Sequence, residues 1–68
     1  MRVLAEFLRD REARQIDLPT GASGLDLVRA LDIAPDAHLL ARGETPIPID
    51  EPLRDGETIL VIRVVSGG

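Results

Sequence analysis

Ile59-Leu60-Val61-Ile62-Arg63-Val64-Val65 runs directly into Ser66-Gly67-Gly68, and this stretch decides how the rest of the chain is arranged. Aliphatic and β-branched residues in an unbroken row read as a strand. By a period of two, Ile59 and Val61 share one face, and Leu60, Ile62 and Val64 share the other. The di-glycine behind it carries no Cβ, so it can thread a channel too narrow for other side chains. Four residues from Val65 to Gly68 reach about 13 Å when extended, enough to enter a partner's active site. Average glycine usage makes a chance terminal pair roughly a 0.5% event. The α-carboxylate of Gly68 is therefore the expected reactive group, delivered on a short tail of Ser66 and Gly67.

Working outward, residues 1–9 also alternate as a strand, with Val3, Ala5 and Phe7 on one face. Arg2, Leu4, Glu6 and Leu8 lie on the other, wetter face. Asp10-Arg11-Glu12 is a polar break suited to a hairpin, and residues 13–18 form a second strand with Ile16 and Leu18 inward. Ser23 reads as a helix N-cap, with Asp26 three residues on as the capping-box acid. The helix is expected over residues 24–32, buried through Leu27, Val28 and Leu31, and Pro35 forbids its continuation.

Residues 38–42 form a third strand, and Gly43 turns the chain into a short strand over residues 45–49. Pro46 and Pro48 fall on alternate positions there and strip one side of donors, which suits a sheet edge. Leu53 tucks under the sheet, and Asp55-Gly56 makes a tight turn into the last strand. The two terminal strands are the most hydrophobic, which places them adjacent and parallel at the centre of the sheet. The helix-containing segment then serves as the crossover, and one helix covers one face. The expected fold class is α+β, a β-grasp with a mixed sheet and one packed helix. Residues 1–65 make the domain and residues 66–68 the tail.

Composition narrows the function classes. A chain of 68 residues buries only about 60% of the surface its unfolded form exposes, and no cysteine staples it. The absence of cysteine also excludes a thiolate nucleophile, a CxxC pair and a Cys-ligated metal on this chain. It fits a reducing, cytoplasmic setting. The longest apolar run, Ile59 to Ile62, spans four residues, so no membrane span is expected, and the N-terminus lacks a signal-peptide pattern. Net charge is −4 and Phe7 is the only aromatic, which argues against direct nucleic-acid binding. All eight cations are arginine, a pattern that a GC-rich genome explains. It also leaves the Met1 amino group as the chain's own amine.

The strand order, the Asp55-Gly56-Glu57 turn, the strand that follows it and Gly67-Gly68 together resemble the ubiquitin-like sulfur carriers. These include the ThiS and MoaD proteins, the ubiquitin-related modifier and the small archaeal modifier proteins. The helix Leu25-Asp26-Leu27-Val28-Arg29-Ala30-Leu31-Asp32-Ile33 followed by Pro35 looks most like the archaeal modifier branch and the carriers of tRNA thiolation. The resemblance implies that a ubiquitin-activating-type (ThiF/MoeB-like) enzyme adenylates Gly68 with ATP, which that partner consumes. The same resemblance implies that the chain itself binds no cofactor and is not an enzyme. A persulfide sulfur donor then converts the adenylate to a thiocarboxylate, for tRNA thiolation or for thiamine or molybdopterin synthesis through a downstream acceptor. Alternatively, lysines of target proteins take the acyl group in an isopeptide bond.

Parity supplies the recognition surface. Leu60, Ile62 and Val64 share the sheet face opposite the helix with Leu4 and Leu8 of the neighbouring strand, and no second helix exists to cover them. An exposed apolar patch of this kind marks a partner site, here the activating enzyme. Arg63 has core-side parity but lies past the helix's reach. It is expected to emerge to solvent, either to pair with an acid on that enzyme or to remain solvated. His38 stands alone at a strand start and reads as a surface residue. Asp50, Glu51, Asp55 and Glu57 read as turn acids in preference to a cation site, and no metal is expected.

Overall fold

The computed structural model describes residues 1–65 of the chain. Five strands form one sheet: β1 (Arg2–Phe7), β2 (Glu12–Asp17), β3 (His38–Arg42), β4 (Thr45–Ile47) and β5 (Thr58–Arg63). A single α-helix, α1 (Gly24–Ala30), follows β2, and a 3₁₀ turn over Pro35–Ala37 precedes β3. The strand order is β2-β1-β5-β3-β4. The two terminal strands do lie side by side and parallel, with Ala5 opposite Ile59 and Phe7 opposite Val61. The other pairings are antiparallel. This is the α+β, β-grasp arrangement expected from the sequence.

The core lies between α1 and one face of the sheet. Leu27 and Val28 are fully buried against Val3, Ala5, Ile59 and Val61, with Leu31, Leu40 and Leu53 closing the sides. Each of the buried Leu, Val and Ile side chains contributes about 1.5–3 kcal/mol through removal from water. A helix of seven residues has little stability in isolation, so this burial is what maintains it. Its start is fastened in two ways. The Asp26 carboxylate accepts the Ser23 backbone N–H at 2.8 Å and the Ser23 hydroxyl at 3.2 Å. The Gly24 and Leu25 N–H groups donate to the carbonyls of Glu51 and Ile49, at 3.0 and 2.7 Å. Two of the first-turn donors, which no intrahelical partner can satisfy, are thus met by the β4–β5 connection.

Element ends differ from the sequence reading in five places, and the first is β5, which spans Thr58–Arg63 and not residues 59–65 because the Val64 N–H turns to Ala37 O of the 3₁₀ turn. The helix stops at Ala30, not at residue 32. Asp32 adopts the left-handed conformation (φ 57°), so its N–H turns to Arg29 O (3.1 Å) and that of Ile33 reaches Val28 O (3.3 Å), a Schellman stop. Strand β4 ends at Ile47 because the Ile49 carbonyl is committed to capping the helix. Strand β1 ends at Phe7 because the hairpin turn already begins at Leu8 and is completed by Arg11 at φ 51°. Strand β2 spans Glu12–Asp17, although Leu18 still donates to Met1 O at 2.8 Å.

Candidate functional site

The face of the sheet opposite α1 is bare, and the strand registers place its residues in rows. One row crosses all five strands as Ala13, Glu6, Leu60, Ala41 and Pro46. The next runs from Ile62 to Leu39, and Leu8 reaches the same level, since its N–H donates to Val61 O at 3.2 Å. Leu4, with Gln15 and Thr58 beside it, begins the row on the other side. The structure therefore brings Leu4, Leu8, Leu60 and Ile62 onto one surface, as parity required. Leu60, Ile62 and Leu4 are half-buried by their neighbours, whereas Leu8 is 57% exposed.

Leu39 belongs to this surface as well, at 56% exposure, and sequence reasoning missed it. The signal was present: Leu39 alternates with Leu40, which is buried on the helix side. Ala41 is buried without belonging to the main core, because its small side chain sits low between Leu60 and Pro46. A saddle at Ala41 flanked by Leu60 and Leu39 is a shape that an apolar side chain of a partner can occupy. Arg2 and Asp17 rim the patch with charge, held together at 3.1 Å, and Glu6 stands within it beside Leu60.

At the far end of β5, Arg63 is exposed as expected, opposite His38 of β3. Val64 donates its N–H to Ala37 O at 2.8 Å, which extends the pairing one step beyond the strand, and Val65 is 75% exposed. Ser66, Gly67 and the proposed reactive Gly68 lie outside the described residues. His38 is half-buried, and its Nδ1 lies 2.7 Å from Ala34 O. A carbonyl can only accept, so Nδ1 carries the proton in that contact and Nε2 remains the uncommitted nitrogen.

The turn acids divide. Glu51 and Glu57 do converge on a cation, but it is the Arg42 guanidinium. Arg42 donates Nε to Glu57 Oε1 (2.6 Å), Nη2 to Glu57 Oε2 (3.1 Å) and Nη1 to Glu51 Oε2 (3.0 Å). Those bonds hold the Glu57 carboxyl below the usual glutamate range, while its partial burial opposes them. Asp55 instead accepts the Arg2 N–H at 2.8 Å. Among the described residues no group of His, Asp and Glu side chains is arranged to hold a metal.

No known family model matches this sequence, and no curated protein matches it. Solved structures do. The crystal structure of SAMP1 from Haloferax volcanii superposes with a TM-score of 0.77 over 100% of both chains, at 17% identity. The fold is ubiquitin-like. At that identity the likeness is one of overall fold. Among the described residues no helix is long and apolar enough to cross a membrane.

Proposed function

We propose that this chain is a ubiquitin-like sulfur carrier that an ATP-dependent activating enzyme recognises through the bare sheet face and modifies at Gly68. The observation that carries this reading is the dual role of β5. One face of it, Ile59 and Val61, anchors the core. The other presents Leu60 and Ile62, and the same strand continues in sequence to Ser66-Gly67-Gly68. A partner that grips the outer face thereby holds the tail at a fixed distance from its own active site. Orienting the acyl group in this way removes much of the entropic cost of the reaction.

The chemistry belongs to that partner. The Gly68 carboxylate attacks the α-phosphorus of ATP, expelling pyrophosphate and forming an acyl adenylate. A persulfide then displaces AMP, and reduction of the acyl disulfide by a second thiol releases the thiocarboxylate. The small modifier SAMP1 shares this fold, which supports a second reading in which a lysine amine takes the acyl group.

Intact mass spectrometry after incubation with an activating enzyme, ATP and a sulfur source distinguishes the two. The carrier gains one oxygen-to-sulfur exchange in its C-terminal peptide. The modifier appears only in isopeptide linkage. Removal of Gly67 and Gly68 abolishes both products and leaves the melting curve unchanged. If neither product forms with a competent enzyme, the reading fails.

A further inference from the structure

Beside the point where the chain leaves β5, a cleft of about 460 Å³ opens on the helix side of the sheet. Its floor is apolar: Phe7 from β1, Val61 from β5 and Ile33 from the loop after α1. Its rim is ionic, formed by Arg9, Asp10, His38 and Arg63. Two guanidinium groups and one carboxylate give that rim a net positive charge, a local inversion on a chain whose total is −4. Among the described residues neither Arg9 nor Arg63 forms an ion pair, whereas Arg2 and Arg42 both do. The cleft and the chain exit share a border, since Ala37 lines the one and accepts the Val64 N–H of the other.

We propose that this cleft docks an acidic segment of the protein that processes the tail. An apolar side chain of that segment seats on Phe7, Ile33 and Val61, and its flanking carboxylates meet Arg9 and Arg63. This rests on the carrier reading only for the identity of the partner. The charge argument and the volume stand independently of it. The two guanidinium groups suit carboxylates, because each planar fork can hold both oxygens of one group. The volume is that of a site for a single large side chain and its neighbours. Contact here and contact on the opposite face would clamp β5 from both sides at the level of Val61 and Ile62.

The test needs neither Gly68 nor an activating enzyme, so its failure leaves the carrier reading intact, and failure of the carrier reading leaves this proposal intact. The ¹⁵N-labelled full chain is titrated with an acetylated, amidated peptide Glu-Glu-Asp-Leu-Asp-Glu, and in parallel with its Gln/Asn counterpart. The expected result is chemical-shift change at the amides of Phe7, Ile33, Ala37, His38 and Arg63 with a Kd of about 1 mM or tighter. The amide peptide leaves those signals in place. Arg9→Glu with Arg63→Glu weakens binding at least about tenfold by charge reversal, equivalent to 1.4 kcal/mol. Ala34→Trp, at an exposed loop position, blocks the cleft without touching the core. No shift at these amides, an equal response to the amide peptide, or shifts centred on Leu39 and Leu60 would each overturn the proposal. A chain ending at Val65 that binds the peptide tenfold more tightly would overturn it as well, by assigning the cleft to the chain's own C-terminal carboxylate.

Discussion

Arg42 grips Glu57 through both carboxylate oxygens, at 2.6 and 3.1 Å, and so ties the end of β3 to the turn that launches β5. Glu57 is only 12% exposed, and its second oxygen also takes the Arg54 N–H at 2.6 Å. A carboxylate held in this way has a folded pKa below its unfolded one. Its stabilisation is fully present above the unfolded value, about 4.3, and is lost as pH falls through the folded value. Glu57→Gln is expected to lower stability by about 1–2 kcal/mol at neutral pH and to flatten the acid limb of a plot of Tm against pH. Parallel acid limbs for the two proteins would show that Glu57 is not the group that titrates. Asp26, also shifted down by its bonds to Ser23, keeps a residual limb in the variant.

Gly24 begins the helix where no side chain fits. A Cβ there would lie 2.6 Å from Leu40 Cδ1 and 2.8 Å from the Ile49 carbonyl oxygen. Leu40 can rotate, but the carbonyl is backbone and is held by the Leu25 N–H. Gly24→Ala therefore destabilises by about 1–3 kcal/mol, although alanine is the better helix former. Chemical denaturation measures it, and a gain in stability would show that the helix can move off Leu40 and the β4–β5 connection at no cost.

Asp32 presents the opposite case. It holds φ 57° and places a negative charge at the C-terminal end of the helix. Asp32→Gly relieves both the left-handed strain and the unfavourable dipole contact, at the cost of a more flexible unfolded chain. The expected net gain is about 0.5 kcal/mol, visible as a higher melting temperature. A loss would mean that the Asp32 side chain contributes more than its backbone costs.

Neighbouring positions on β5 and the paired β3 should separate folding from recognition. Ile62→Glu and Leu39→Glu, on the bare face, should leave a cooperative melt and cut adenylation by a competent activating enzyme. Leu39→Glu should shift stability by no more than about 0.5 kcal/mol because that side chain is mostly exposed. Val61→Glu, one position away and 2% exposed, should abolish folding. Normal adenylation by the two outer-face variants would rule that surface out as the enzyme's docking site.

Much of this architecture was legible because alternation is a local property. A period of two along residues 59–62 assigns every side chain to a face regardless of neighbours, and the fully buried Ile59 and half-buried Leu60 follow that assignment. The central parallel pair was legible for a related reason: the two most apolar segments have the most to gain from the middle of the sheet. Ser23 and Asp26 are three residues apart, so their contact is a matter of helix geometry alone.

Where elements stop, and what meets what across the sheet, was decided only in three dimensions. Strand β4 is short because the Ile49 carbonyl serves the N–H of Leu25, 24 residues earlier in the chain. Nothing in the spacing of Arg42, Glu51 and Glu57 announces one ion cluster; it exists because the β3–β5 register and the intervening turn bring three charges to one point. The bare-face saddle at Ala41 and the cleft at Arg63 are likewise products of register, since each is assembled from residues of separate strands. Local pattern selects a conformation and a face, because those depend on a residue and its near neighbours. Partners are selected by the packing of the whole chain, because a one-residue slip of register would turn Val3, Ala5, Ile59 and Val61 from the helix side to the bare face.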